Sequence, residues 1–192
     1  MTYWTKDGAN ASTGQDFKQE RYTPQWLADE IESFWHPNGI ELDPCSPGVG
    51  FSNINAYLHY TRHDNGLELP WNALTVFANP PYGRGKETGT EPWIRKAISE
   101  HNCRNATEII LLIPNRTSNS WYSLLDPYPR MEFVGRLFFD GLDENGRPLT
   151  QQAPFPSALF YMGYDEDRFC EYFSRWGRVL RVTHNMEGDN EK

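Results

Sequence analysis

Asn79-Pro80-Pro81-Tyr82 is the segment whose residue types best fit a chemical role. It follows an apolar run at residues 74–78 that predicts a buried strand, and neither proline has an N–H to continue an interior strand. The chain must therefore leave the sheet at the carboxyl end of that strand, where open α/β sheets bind ligands. The stiff turn holds a side-chain amide oxygen and a backbone carbonyl close together, which suits a planar amino group, and Tyr82 offers a ring on which a flat base stacks for about 1–3 kcal/mol. An ordinary loop turn is the alternative, because Asn and Pro favour turns in any context.

A second candidate site follows the first predicted strand, residues 40–42. Asp43 ends that strand, and Pro44, Cys45 and other small, turn-forming residues follow it up to Gly50. This arrangement lets a ligand approach the backbone and supplies a carboxylate for an ammonium or hydroxyl group. Asp-Pro after a strand also occurs as a plain turn, so the pattern alone leaves both interpretations open.

Two further segments contain polar groups next to turns. Arg21-Tyr22-Thr23-Pro24 precedes a predicted helix, with Thr23 as its N-cap and Pro24 as its first residue. A helix N-terminus with a threonine hydroxyl can bind a carboxylate, although an ordinary N-cap explains the same residues. Asp64-Asn65-Gly66-Leu67 is either a plain turn or a source of a carboxylate or backbone group beside the edge of a base such as adenine.

The elements that position these residues alternate along the chain. Apolar runs predict strands at residues 40–43, 56–60, 74–78, 108–113, 131–139, 157–162 and 178–183. Helices are predicted from Pro24 to the stop at Pro37-Asn38-Gly39, and at residues 91–101, 120–125 and 165–176. Strands that alternate with helices and then follow one another predict an α/β fold, with a mostly parallel sheet and an antiparallel edge.

The composition limits the class of protein. A chain of 192 residues predicts one domain, which we place at residues 21–184 between an N-terminal arm at 1–20 and a disordered tail at 185–192. There is no apolar run of about 18 residues to span a membrane. Three scattered cysteines favour a reducing cytoplasm over a disulfide framework or a metal site. The net charge of −8 excludes a protein that coats nucleic acid by bulk attraction, but not one with a local basic groove.

Taken in chain order, the four segments resemble the phage-type DNA N6-adenine methyltransferase family (Dam-like). That family has a Thr-Pro helix start, a Leu-Asp strand end, Asp-Gly-Leu followed by Trp, and Asn-Pro-Pro-Tyr. The corresponding residues here are Thr23-Pro24, Leu42-Asp43, Asp64 to Leu67 with Trp71, and Asn79 to Tyr82. The likeness covers about residues 21–163, and it continues through Pro92-Trp93-Ile94, Leu111 to Pro114, Gly135 to Phe139, and Phe155 to Leu159.

The resemblance implies a single Rossmann-like class I methyltransferase domain that uses S-adenosyl-L-methionine. It implies four catalytic residues: Asn79, Pro80, Pro81 and Tyr82. The cofactor-binding residues that it implies are Tyr22, Thr23, Pro24, Asp43, Pro44, Cys45, Asp64, Gly66 and Leu67. The glycine-rich loop of many such enzymes is poorly formed at residues 45–50, and no acidic residue directly ends the second predicted strand to bind the ribose hydroxyls.

The resemblance also implies a mechanism on double-stranded DNA. The target adenine must flip out of the duplex, with Tyr82 as its platform. The Asn79 oxygen and the Pro80 carbonyl then accept the two hydrogens of its amino group and turn the nitrogen lone pair toward the methyl group. No strong base is needed, because the proton leaves once the nitrogen is cationic.

Basic side chains near the turn are candidates for contact with the DNA phosphates. Arg84 and Lys86 follow the turn directly, and Arg116 follows the strand that ends at Pro114. Arg147 lies in a polar loop, residues 140–156, that is a candidate for reading the target sequence. A solvated loop is the alternative for each of these residues. We expect a cytoplasmic monomer or weak dimer in a bacterial or phage-infected cell, with no membrane and no metal.

Other functions remain open at this point. The same catalytic turn serves methyltransferases of other planar amines, such as an RNA base or a protein glutamine. A nonenzymatic module that binds DNA or S-adenosylmethionine is a further alternative, motivated by the imperfect glycine-rich loop. Cys45 follows a proline, as does the nucleophile of cytosine-C5 methyltransferases, but it follows the first strand and lacks their flanking residues.

Overall fold

The computed structural model describes residues 21–82, 89–141 and 152–181. Within them the strands are β1 (Ile40–Asp43), β2 (Ala56–His59), β3 (Ala73–Ala78), β4 (Ala106–Pro114), β5 (Arg130–Phe133), β6 (Ser157–Met162) and β7 (Gly177–Leu180). The helices are α1 (Gln25–Phe34), α2 (Thr90–Asn102) and α3 (Glu166–Phe173), and a 3₁₀ helix spans Ser120–Leu125.

All seven strands form one sheet in the order β2-β1-β3-β4-β6-β5-β7. Pairing is parallel from β2 through β1 and β3 to β4, and antiparallel from β4 through β6 and β5 to β7. The predicted α/β class, a parallel sheet with an antiparallel edge, is confirmed. The chain leaves β1 toward β2 and leaves β3 toward β4, in opposite directions along the sheet. The carboxyl ends of β1 and β3 therefore form a topological switch point, where such sheets bind ligands.

The hydrophobic core lies on both faces of this sheet. α1 and α3 cover one face, where Phe34 and Ile110 belong to the same buried cluster. α2 and the 3₁₀ helix cover the other face, where Trp93 and Ile109 are buried together. Because successive side chains of a strand point to opposite faces, β4 is buried on both sides from Ile109 to Pro114, and its sequence there is a continuous apolar run.

The strand predicted at residues 131–139 is shorter than expected, because β5 ends at Phe133. Gly135 has a φ of 85°, a left-handed conformation that a strand does not use, and the chain leaves the sheet there. Farther on, Asp140 exchanges two backbone hydrogen bonds with Tyr22, of 2.9 and 3.0 Å. The second half of the predicted strand therefore packs beside the start of the described chain and forms no part of the sheet.

The prediction that Thr23 caps α1 is wrong. Pro24 occupies the N-cap position, and its carbonyl accepts hydrogen bonds from the N–H groups of Leu27 and Ala28, both at 3.0 Å. The Thr23 side chain makes no capping hydrogen bond with the helix. It is buried and contacts the end of β3 instead.

The predicted arm at residues 1–20 and tail at 185–192 lie outside the described residues. The strand predicted at 178–183 is observed as β7, which begins one residue earlier and ends at Leu180, while residues 182 and 183 lie outside the described residues. In the described part of the chain, no helix is both long and apolar enough to cross a membrane.

Candidate active site

A cleft opens at the carboxyl ends of β1 and β3. It contains about 500 Å³ of empty space, part of which is continuous with solvent. The whole turn from Asn79 to Tyr82 lines the cleft, together with four of the predicted cofactor residues: Tyr22, Thr23, Asp43 and Cys45.

The Asn79 side chain is fixed by hydrogen bonds at both ends of its amide. Its Nδ2 donates to the backbone carbonyl of Arg21 at 2.8 Å and to Oγ1 of Thr23 at 3.1 Å. Its Oδ1 accepts a hydrogen bond from the hydroxyl of Tyr82. The Arg21 carbonyl can only accept, so it sets the direction of the amide, and the amide oxygen is the atom turned toward Tyr82.

Tyr82 packs more tightly than the predicted role as a stacking platform requires. Its side chain is 8% exposed, and its ring makes edge contacts with Phe139 and Phe155 at centroid distances of 5.9 and 5.3 Å. Burial raises the pKa of its hydroxyl well above the usual value, so the group remains a donor. It donates to Asn79 and lies 3.2 Å from the carbonyl oxygen of Leu112. Stacking a base on this ring therefore requires the side chains around it to move.

Asp43 places a buried carboxyl group at the end of β1. Burial raises its pKa to about 7, although hydrogen bonds from Cys45, Ser46 and Ser52 oppose the shift. The nearest basic group in the described chain is Nδ1 of His59, 3.9 Å from Oδ2, and burial lowers the pKa of that imidazole. The carboxylate therefore lacks a strong cationic partner among the described residues.

Cys45 lies in the same cleft as a protonated thiol. Burial, and then the neighbouring Asp43 carboxylate, raise its pKa well above the usual value, while a hydrogen bond with the backbone of Asn79 acts in the opposite direction. A thiol with a raised pKa is a poor nucleophile, because the thiolate is the reactive form. The environment of Cys45 therefore gives no support to nucleophilic catalysis.

The segment from Asp64 to Leu67 supports the loop after β1 but does not line the cleft. The Asp64 carboxylate accepts hydrogen bonds from the N–H and hydroxyl of Thr61, which lower its pKa. Gly66 lies so close to Pro44 that a Cβ at this position would be 1.9 Å from the Pro44 carbonyl oxygen. Five predicted cofactor residues are thus outside the cleft lining: Pro24, Pro44, Asp64, Gly66 and Leu67.

A comparison of the sequence with models of protein families identifies the family of this chain. The model of the family described as DNA N-6-adenine-methyltransferase (Dam) matches residues 10–170, a range that contains the whole cleft. The chain belongs to the Dam family. The resemblance drawn from the motifs is confirmed at this level, and the mixed seven-stranded sheet is consistent with a methyltransferase fold. A comparison with curated proteins gave no match.

Six residues that line the Dam-family cleft were not predicted to form the site: Arg21, Pro47, Ser52, Asn53, Ile54 and Phe77. Of these, Arg21 and Asn53 contact other residues that bear on the site. The guanidinium of Arg21 lies over the rings of Phe139 and Phe155, at 5.9 and 5.5 Å, and burial lowers its pKa. Asn53 donates from Nδ2 to the carbonyl of Thr23 at 2.9 Å and to the Asp140 carboxylate at 2.6 Å. Arg21 is adjacent to the Thr23 motif and was detectable for that reason, whereas nothing in the sequence singles out Asn53.

Of the four basic residues predicted to contact DNA, Arg116 lies in the described part of this Dam-family chain. Its guanidinium lies 5.3 Å from the centre of the Phe155 ring, the ring that Arg21 also contacts. Arg84, Lys86 and Arg147 lie outside the described residues. Across residues 21–82, 89–141 and 152–181, no cluster of three His, Cys, Asp or Glu side chains could hold a metal ion.

Proposed function

We propose that this Dam-family chain transfers a methyl group from S-adenosyl-L-methionine to the N6 amino group of an adenine at a specific site in double-stranded DNA. The observation that carries the proposal is the fixed amide of Asn79 at the switch point, with Nδ2 bound by two acceptors and Oδ1 turned into the cleft. An exocyclic amino group has two hydrogens to donate, and the Asn79 oxygen and the Pro80 carbonyl are two acceptors in one turn.

The buried Asp43 carboxyl fits the cofactor. A ligand that carries an ammonium or hydroxyl group would give this carboxylate the partner that it lacks among the described residues, and would favour its charged form. We assign Asp43 to that contact, with Tyr22 and Cys45 beside it in the cleft. When bound, S-adenosylmethionine supplies an electrophilic methyl group on a sulfonium.

The catalytic work of the protein is orientation. The amino group of adenine is a poor nucleophile, because its lone pair is delocalised into the ring. When the Asn79 Oδ1 and the Pro80 carbonyl accept its two hydrogens, the nitrogen moves toward tetrahedral geometry and its lone pair becomes available. Asparagine suffices because the role is to accept hydrogen bonds, and the amide remains neutral throughout.

The adenine must enter the cleft from outside the duplex, because its amino group is inaccessible in stacked DNA. Its arrival displaces the Tyr82 hydroxyl from the Asn79 oxygen, and the released ring is then available for stacking. The chain has a net charge of −8, so DNA binding needs local positive charge. We assign the contacts with the phosphates to the basic side chains of Arg84, Lys86, Arg116 and Arg147.

The test is incubation of the purified protein with methyl-labelled S-adenosylmethionine and unmethylated duplex DNA, followed by digestion and separation of the nucleosides. We expect label in N6-methyladenine, and far less of it with Asn79→Ala in the same incubation time. Label in added RNA or protein instead of DNA would assign the turn to another planar amine. Failure to bind the cofactor would contradict a methyltransferase and favour a binding module with this fold.

A further inference from the structure

The Thr23 hydroxyl is the side-chain group that orients the Asn79 amide. Nδ2 of Asn79 donates to Thr23 Oγ1 at 3.1 Å and to the Arg21 carbonyl at 2.8 Å, so each of its two hydrogens has an acceptor. If the amide turned by 180°, its oxygen would face the Arg21 carbonyl oxygen and that hydrogen bond would be lost, whereas the Thr23 hydroxyl would then donate to the amide oxygen. The Arg21 carbonyl therefore selects the orientation that turns Oδ1 toward Tyr82, and the Thr23 hydroxyl holds the amide in place within that orientation.

The segment that carries both acceptors is anchored on either side. Tyr22 exchanges two backbone hydrogen bonds with Asp140, and the Thr23 carbonyl accepts one from the Asn53 side chain at 2.9 Å. Thr23 is 4% exposed, and it does not cap α1, because Pro24 occupies that position. The hydroxyl of Thr23 thus serves Asn79 and not the helix that follows it.

We propose that Thr23 is a positioning residue for methyl transfer: its hydroxyl and the Arg21 carbonyl together keep Asn79 Oδ1 directed at the adenine amino group. This inference rests on the proposed function. It differs from the expectation, based on the family resemblance, that Thr23 binds the cofactor. A cofactor ligand sets the affinity for S-adenosylmethionine, whereas a positioning residue sets the rate of methyl transfer once both substrates are bound.

The experiment compares two substitutions of Thr23 with a matched control. Thr23→Val keeps the volume and removes the acceptor, and Thr23→Ser keeps the hydroxyl. The control is Thr75→Val, since Thr75 is equally buried and hydrogen-bonded in β3, where its hydroxyl contacts Glu41 and Gly39 away from the cleft. Thr23→Ala replaces Thr23→Val if the valine variant does not fold.

We measure the single-turnover rate of DNA methylation at saturating cofactor, and the Kd of S-adenosylmethionine by calorimetry. In Thr23→Val we expect the rate to fall about tenfold, as for the loss of one neutral hydrogen bond, with the Kd changed less than about twofold. Thr23→Ser should recover most of the rate, and Thr75→Val should keep it. A raised Kd with an unchanged rate in Thr23→Val would overturn the proposal and make Thr23 a cofactor ligand.

A second measurement does not depend on activity. The side-chain NH₂ signals of Asn79 in ¹⁵N-labelled free protein are identified by their loss in Asn79→Asp. We expect one of the two protons to shift and to exchange faster with water in Thr23→Val, but not in Thr23→Ser or Thr75→Val. Unchanged signals in Thr23→Val would show that the Asn79 amide makes no hydrogen bond with the Thr23 hydroxyl, and would overturn the proposal. If the wild type does not methylate DNA, the proposed function fails, and these signals still decide whether Thr23 orients the amide.

Discussion

The Tyr82 hydroxyl donates a hydrogen bond to Oδ1 of Asn79, the oxygen that the proposed reaction assigns to the adenine amino group. The acceptor proposed for catalysis is thus satisfied by a side chain from the same turn. Because a buried acceptor without a partner costs about 1–3 kcal/mol, this contact stabilises the turn. It also means that the substrate competes with Tyr82 for one oxygen.

Tyr82→Phe removes that competition. We expect the KM for DNA to fall by a factor of a few, because Asn79 Oδ1 is then open to the adenine. The variant should also lose stability, since each hydrogen bond lost contributes about 0.5–1.5 kcal/mol. Methylation kinetics and thermal melting measure the two effects. Tyr122→Phe is the matched control: its hydroxyl donates to Asn115 at 2.5 Å outside the cleft, so it should lower the melting temperature alone. An unchanged or higher KM for Tyr82→Phe would argue against the competition.

Asn79→Ala should separate catalysis from cofactor binding. The side chain accepts from the substrate and makes no part of the assigned cofactor contact, so we expect the rate to fall by about 10²–10³, as for other lost transition-state hydrogen bonds. The Kd of S-adenosylmethionine should remain within about twofold, as calorimetry would show. Loss of cofactor binding together with activity would contradict the assignment.

Cofactor affinity should depend on pH through Asp43. Its pKa in the free protein is raised to about 7, and only the carboxylate can neutralise an ammonium group. We therefore expect the affinity for S-adenosylmethionine to weaken as the pH falls below about 7, and binding near neutral pH to release a proton. Calorimetry in buffers of different ionisation enthalpy measures that proton. Asp43→Asn should bind weakly at every pH, and a wild-type affinity that is constant from pH 6 to 8 would count against Asp43.

The same carboxyl group should affect stability in the opposite direction from function. Because its pKa is higher in the folded protein than the ordinary 3.8, folding favours the protonated form, and its contribution to stability is lost as the pH rises from about 4 through 7. Asp43→Asn has no group that ionises at this position. The melting temperature of the variant should therefore rise relative to that of the wild type as the pH increases over this range. Parallel melting curves of the two proteins across these pH values would refute the raised pKa.

Gly66→Ala tests whether the segment from Asp64 to Leu67 supports the loop after β1. The added Cβ would lie 1.9 Å from the Pro44 carbonyl oxygen, so the loop must shift. We expect a loss of about 1–3 kcal/mol in unfolding free energy, typical of overpacking, and weaker cofactor binding. Gly50→Ala is the control, since a Cβ there meets nothing within 4 Å. Equal stability of the two variants in urea titrations would exclude the supporting role.

β3 and the turn after it show most clearly which structural features the sequence predicts. The apolar run at 74–78 predicts a buried strand, and two prolines require the chain to leave the sheet, so both the strand and the turn are set by neighbouring residues. The ordered motifs likewise predict the family that residues 10–170 match. The strand predicted at 131–139 is correct only as far as Phe133, because the aromatic pattern continues beyond the place where the chain turns at Gly135.

The sequence by itself therefore determined the order of elements, the parallel sheet with its antiparallel edge, and the family. Only the tertiary structure decided that Thr23 binds Asn79 instead of capping α1, that Tyr82 occupies the Asn79 oxygen, and that Gly66 lies against Pro44. The physical reason is the range of the interactions. Helix and strand formation depend on neighbours a few residues away, which a sequence pattern records. The partner of a side-chain hydroxyl depends on which distant segments the sheet brings together, and that is known only once the whole sheet is assembled.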